Sequence, residues 1–238
     1  MEVIAHRGES GAAPENTLPA FERALRCGAD GVEFDVQASQ DGVPVVIHDE
    51  RLERTTNGTG WVGEQTWDQL QALDAGSWFG AGFAGARLPR LAEVLSLFRG
   101  SGMTIHVELK TDRVPYAGLV RRVVDLVRDL GVAGQVLLSS FNHNSLGEVH
   151  ALAPHLPRAA LLSNALLEPW DYATRHGFQA LHVRDGMVDA PLVEGCHRQG
   201  LALRAYTVDD VAEARRLAGL GLDGVFTNHP ARILARSA

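Results

Sequence analysis

Seven side chains near the ends of short apolar runs hold the chemistry that this sequence can offer. His6 and Arg7 follow Val3–Ala5, Glu33 and Asp35 lie two apart in Gly31–Val36, and His48 closes Val45–His48. Glu108 and Lys110 lie two apart at the end of Thr104–Glu108. Residues two apart on a strand share a face, so each pair points to one side. Three crowded carboxylates repel unless a cation sits among them. An all-oxygen donor set suits one hard divalent cation, Mg²⁺ or Ca²⁺, better than zinc. Imidazoles, with an ordinary pKa of about 6.5, can take up and return a proton near neutral pH. Taken singly, a carboxylate at a strand end is usually a solvated rim charge and a histidine a hydrogen-bonded core residue. Their joint occurrence at three strand ends is harder to explain that way. Lys110 adds separate support: of 22 basic residues it is the single lysine, the rest being arginine. A compact ammonium suits a confined site that a wide guanidinium fork does not.

For these groups to meet, their strands must be neighbours with matching ends. Five further extended runs are Val136–Ser140, Ala159–Leu162, Leu181–Val183, Leu203–Thr207 and Gly224–Thr227. Helical periodicity marks Leu18–Arg26 after the Asn16/Thr17 cap, Leu91–Phe98, Leu119–Leu130, and Asp210–Leu220 up to the stop at Gly221. Such alternation implies parallel strands joined by crossover helices. Gln37–Pro44 is too short for a crossover, which needs about a dozen residues, so Gly31–Val36 and Val45–His48 form an antiparallel hairpin. Eight parallel strands remain. They predict a TIM (β/α)8 barrel with an extra hairpin strand, an open doubly wound sheet being the alternative. Residues 51–90, rich in Gly and Trp, read as a small insertion after the second strand. A barrel of this kind carries its site at the carboxyl ends of the strands. A two-residue hairpin turn centred on Gln40-Asp41 pairs Glu33 with His48, and one centred on Asp41-Gly42 pairs Asp35 with His48. Either register brings His48 to the carboxylate face, whereas a three-residue turn would not.

The chain of 238 residues is long enough for a single domain spanning 1–238, and 45% apolar content excludes a disordered protein. A net charge of −7 argues against nucleic-acid partners. No apolar run reaches the roughly 20 residues of a membrane span. Cys27 and Cys196 make no disulfide framework, and the first residues show no signal-peptide pattern, so a cytoplasmic protein is expected.

His6-Arg7-Gly8 with Pro14-Glu15-Asn16-Thr17, then Glu33-Phe34-Asp35, His48-Asp49, Arg54-Thr55-Thr56-Asn57-Gly58, Glu108-Leu109-Lys110, Ser140-Phe141-Asn142 and Asp223-Gly224 together resemble the glycerophosphodiester phosphodiesterase family. The resemblance runs from the first strand to the last. It implies a barrel that hydrolyses glycerophosphodiesters to glycerol 3-phosphate and an alcohol. It further implies that His6 and His48 are the acid/base pair, that Glu33, Asp35 and Glu108 bind the metal, and that Arg7 and Lys110 contact the phosphate. Tyr206 stands where the family often has Trp, and Asn228 where it often has Asp. Phe141 and Tyr206, at strand ends, are expected to touch the substrate. Trp61, Trp67, Trp78 and Phe79 are expected mainly to fill a small core within the insertion. His106, His143, His150, His155 and His229 read as surface or hydrogen-bonded residues, and His182 stays open. A phospholipase-D-like enzyme would need an apolar or basic docking stripe, which the sequence lacks. A barrel that only binds its ligand would not need both histidines.

Overall fold

A computed structural model describes residues 1–235. Among the described residues there are nine strands: β1 (Glu2–His6), β2 (Gly31–Ala38), β3 (Pro44–Val46), β4 (Thr104–Leu109), β5 (Val136–Ser140), β6 (Arg158–Leu162), β7 (Ala180–Arg184), β8 (Ala202–Tyr206) and β9 (Gly224–Thr227). The helices are α1 (Leu18–Cys27), α2 (Trp67–Leu70), α3 (Leu91–Phe98), α4 (Leu119–Asp129), α5 (His143–Leu152), α6 (Pro169–Arg175), α7 (Ala190–Arg198), α8 (Val211–Gly219) and α9 (Pro230–Leu234). Eight parallel strands close into a barrel because β1 pairs with both β2 and β9, while β3 is bonded antiparallel to β2 on the outside. The eight-strand closure is the TIM (β/α)8 architecture expected from counting extended runs. Among the described residues, no helix is long and apolar enough to cross a membrane.

Helix faces explain the layering. On α4 the apolar residues Leu119, Val120, Val123, Val124 and Val127 recur at helical spacing and are all buried against the barrel. Thr17 stands at the N-cap of α1, but its hydroxyl donates to the Pro14 carbonyl (2.6 Å) instead of capping the helix. Asn16 is likewise diverted, its amide donating to Asp35 (2.9 Å). The expected cap residues therefore build the turn beneath the site.

The hairpin register differs from both expectations. Val36 pairs with Val46 and Gln37 with Val45, which leaves the three residues Gln40, Asp41 and Gly42 in the turn. Gly42 takes a left-handed φ of 81°, the conformation that a three-residue hairpin loop demands. This register alone would not put His48 on the carboxylate face. His48 reaches the site because β3 ends at Val46 and the chain turns away. The buried Gln37 amide holds that turn, donating to the carbonyls of His48 (2.8 Å) and Ile47 (3.3 Å) and accepting from the Tyr116 hydroxyl (2.7 Å).

The insertion has an aliphatic core of Leu52, Val62, Leu70, Ala75 and Leu88, closed by Val45 and Ile47 from the β3 segment. Of the four aromatic residues expected there, only Trp67 packs against it. Trp61 and Trp78 are each 41% exposed. The Trp78 indole is tied at the surface by its N–H to the Ala75 carbonyl (2.9 Å), edge-on to Phe79, and Trp61 lies beneath Arg51.

At the end of β1 the backbone turns sharply, with φ of 58° at Arg7 and 82° at Gly8. A Cβ on Gly8 would stand 2.6 Å from the backbone carbon of Ala20. Gly8→Ala is therefore expected to destabilise the protein by about 1–3 kcal/mol. Gly134→Ala, which meets open space, should stay within about 0.5 kcal/mol. Urea unfolding of both variants checks this, and equal effects would contradict it.

Candidate active site

The β2–β4 register places Asp35 directly beside Glu108, with Glu33 one pleat below on the same face. Ligand oxygens of Glu33, Asp35 and Glu108 all lie within 4.8 Å of one another, and all three residues are buried. Two cations stand against them. Arg7 Nε is 3.2 Å from Asp35 Oδ2, and Lys110 Nζ donates to Glu108 Oε1 at 3.0 Å. The Arg7 contact is one of charge, since Nε–H is not aimed at a hydrogen-bond acceptor. Burial and the neighbouring charges of Asp35 and Glu108 push Glu33 well above the usual carboxylate range. Burial and Asp35 raise Glu108 against the opposing pull of Lys110. Burial alone would also raise Asp35, but Arg7, His48 and Lys110 outweigh it and hold it low. Burial would lower Lys110, yet Glu108 and Asp35 raise it, so it stays charged. Three carboxylates facing two cations leave negative charge uncompensated, and an all-oxygen trio of this size fits one hard divalent ion.

Both histidines are anchored through Nδ1. His6 Nδ1 lies 2.7 Å from Asn228 Oδ1, and His48 Nδ1 lies 2.6 Å from Asp49 Oδ1. Burial and Arg7 bring His6 down to about 4, against the Asn228 hydrogen bond. Partial burial would raise Asp49, but Arg54 and His48 hold it at about 2. Arg54 grips Asp49 through Nε (2.5 Å) and Nη2 (3.0 Å), and grips both oxygens of Glu15 at 2.8 Å. Glu15 in turn accepts from Arg7 Nη1 (2.9 Å). A continuous charged chain thus runs from His48 to Arg7.

His6, Arg7, Glu33, His48 and Glu108 line one cavity of about 170 Å³ together with Phe141 and Tyr206. Phe141 and Tyr206 meet edge to face, and the Tyr206 hydroxyl donates to the Leu162 carbonyl (2.9 Å). Asp35 does not line this cavity but sits behind Arg7. A wider cavity of about 680 Å³ adjoins it, sharing His48 and Phe141 and adding Lys110, Arg51, Arg113 and Arg184. All nine residues singled out from the sequence therefore gather at one end of the barrel. His182, left open by the sequence, is buried and borders the smaller cavity beside Phe226. Gln37 and Asp209 were not singled out in the sequence, and Asn16, Glu15, Arg54 and Asn228 were noted without a role in holding the site. Each acts by holding another residue; Glu15, Asn16 and Arg54 lie inside quoted motifs, Asn228 is a departure from the family pattern, and Gln37 and Asp209 carry no signal.

The model of the glycerophosphoryl diester phosphodiesterase family matches residues 6–232. The chain belongs to this family. It is 42% identical over 232 residues to a glycerophosphodiester phosphodiesterase of Caldanaerobacter subterraneus subsp. tengcongensis, covering 98% of this chain and 96% of that one. An Oleispira antarctica phosphodiesterase, solved with the product sn-glycerol-3-phosphate, superposes with a TM-score of 0.90 at 33% identity, over 99% of this chain and 96% of that chain. A glycerophosphodiester phosphodiesterase from Agrobacterium tumefaciens superposes with a TM-score of 0.87 at 34% identity, over 99% of both chains. The activity class is accordingly hydrolysis of glycerophosphodiesters.

The raised carboxylates carry a stability consequence. With the ion chelated, native Glu33 and Glu108 keep protons above 4.5, the ordinary glutamate value, where the unfolded chain has lost them. The native state then binds more protons, so their contribution to stability falls as pH rises. Asp35 acts oppositely: its contribution is present above 3.8 and is lost as pH falls. Buried His6, His106 and His182 are lowered and so add stability as pH rises toward 6.5, in parent and variant alike. The glutamate contribution is therefore read as a difference: in EDTA, Glu33→Gln is expected to gain melting temperature relative to the parent from about pH 5 upward. Mg²⁺ or Ca²⁺ should stabilise increasingly with pH. Melting curves across pH check this; an unchanged slope in Glu33→Gln would contradict it.

Proposed function

We propose that this chain hydrolyses glycerophosphodiesters to glycerol 3-phosphate and an alcohol, with one divalent ion, Mg²⁺ or Ca²⁺, and proton transfer by His6 and His48. The observation that carries the reading is the meeting at one cavity of two Nδ1-anchored imidazoles and a buried carboxylate trio, of which Glu33 and Glu108 line the cavity and Asp35 stands behind Arg7. Glu33, Asp35 and Glu108 would hold the ion, which when bound supplies Lewis-acid stabilisation of charge on the phosphoryl oxygens. Arg7 and Lys110 add fixed positive charge for the same oxygens. Anchoring Nδ1 leaves Nε2 as the exchanging nitrogen on each ring. One imidazole takes the proton from the attacking water or glycerol hydroxyl as the new P–O bond forms, and the other gives a proton to the departing alcohol oxygen as its P–O bond breaks. Where the glycerol hydroxyl attacks, a water then opens the cyclic phosphate to glycerol 3-phosphate. Phe141 and Tyr206 supply an aromatic wall for the glycerol portion, and the wider, polar cavity receives the departing alcohol.

EDTA should abolish release of glycerol 3-phosphate, and added Mg²⁺ or Ca²⁺ should restore it. Full activity in excess chelator would overturn the metal assignment. His6→Ala and His48→Ala should each lower kcat by about 10²–10⁴-fold with smaller changes in KM. Lys110→Arg keeps the charge but not the shape, and is expected to reduce kcat/KM on the order of 10²-fold with little change in melting temperature. Unchanged kinetics would remove Lys110 from the phosphate site.

A further inference from the structure

We propose that Asn228, itself oriented by Asp209, is a positioning residue that locks His6 in its Nδ1–H tautomer and so keeps Nε2 as the nitrogen with a free lone pair. This rests on the reading of His6 as a proton-transfer group. It starts from the 2.7 Å contact between His6 Nδ1 and Asn228 Oδ1. Which amide atom of Asn228 faces the ring is decided on its far side. There Asp209 Oδ2 lies 2.7 Å from Asn228 Nδ2, while Asp209 Oδ1 accepts from the Asn228 backbone N–H (2.7 Å) and the Thr227 hydroxyl (3.1 Å). An ionised carboxylate only accepts hydrogen bonds. The NH₂ group must therefore turn toward Asp209, which leaves the amide oxygen toward His6. That oxygen carries no hydrogen, so the proton of the contact belongs to His6 Nδ1. A neutral imidazole has one N–H, hence Nε2 is left as an acceptor.

The arrangement is held from several directions. The Asn228 carbonyl accepts from the Gly11 backbone N–H (2.8 Å). The Ser10 hydroxyl lies 2.8 Å from both Asn228 Oδ1 and the His6 carbonyl, and its one proton serves either. Asp209 follows β8, Asn228 follows β9 and His6 ends β1, three strands that are consecutive around the barrel. The relay Asp209–Asn228–His6 therefore ties three neighbouring strand ends together. The carboxylate is one residue removed from the ring, in contrast to His48, whose Nδ1 meets Asp49 directly. Outer-shell partners of this kind set the tautomer and ring orientation of histidines in reactive sites.

The test uses the full chain with Mg²⁺, the variants Asn228→Ala, Asn228→Asp and the exchange Asn228→Asp/Asp209→Asn, and ¹⁵N imidazole spectra of the neutral ring assigned against His6→Gln. In the parent protein, His6 Nδ1 should give the protonated and Nε2 the unprotonated signature. Asn228→Ala should turn His6 into a tautomer mixture and lower kcat by about 10–100-fold, with KM and melting temperature little changed. Asn228→Asp opposes two carboxylates and should lose a similar factor. The exchange restores a donor–acceptor pair in reversed order and should recover about tenfold. The exchange also keeps the test open should Asn228→Ala fail to fold. An Nε2–H signature in the parent protein, or an Asn228→Ala variant with unchanged tautomer and unchanged kcat, would overturn the positioning role. A fully active His6→Ala with the parent tautomer intact would instead overturn the catalytic reading beneath it.

Discussion

Mutual repulsion among Glu33, Asp35 and Glu108 sets the terms for the rest of this site. Strand pairing leaves them little choice, because the β2–β4 register places Asp35 beside Glu108 and the pleat puts Glu33 on the same face. Burial deepens the problem, since water cannot screen the charges. Arg7 and Lys110 answer part of it from the two flanks. The division is uneven: Asp35 is held ionised, while Glu33 and Glu108 are pushed toward protonation. Such a trio is a poor structural element on its own and a good receptor for a hard cation.

The loops around the trio follow from that constraint. Arg7 must sit against Asp35, so the chain after β1 turns at once through left-handed residues, with Gly8 packed on Ala20. Glu15 and Arg54 then neutralise the outward side of Arg7 and extend the charge alternation to Asp49 and His48. On the other flank His6 meets a neutral amide, Asn228. One imidazole is thus coupled to a charged chain and the other to a neutral oxygen backed by Asp209. Two chemically identical side chains acquire different surroundings before any substrate arrives.

Much of this was legible in the sequence, and the failures have physical causes. Pairs two apart at strand ends share a face in any sheet, so Glu33 with Asp35 and Glu108 with Lys110 could be placed from spacing alone. Barrel closure followed from counting runs and removing the hairpin strand on linker length. The hairpin register was missed because Asp41-Gly42 reads equally well as a two-residue turn or as part of a three-residue one, and the left-handed Gly42 selects the latter. His48 was expected at the site and is there, but through Gln37 clamping its backbone after β3 ends. The insertion was misjudged from its aromatic content: short connections leave room for aliphatic packing, while Trp78 satisfies its indole N–H at the surface. Asn228 and Asp209 stand far from His6 in sequence, and only the closed strand order brings them together.

The carboxylate trio carries a repulsion that a cation relieves, and calorimetric titration of chelator-stripped protein with Mg²⁺ or Ca²⁺ measures it most directly. Run from about pH 5 upward in buffers of differing ionisation enthalpy, it counts the protons displaced as the ion binds. Glu33 and Glu108 are held above the usual range, so binding should release protons. Glu33→Gln should release fewer. Tight binding with no proton release, identical in Glu33→Gln, would contradict the electrostatics on which the site is built.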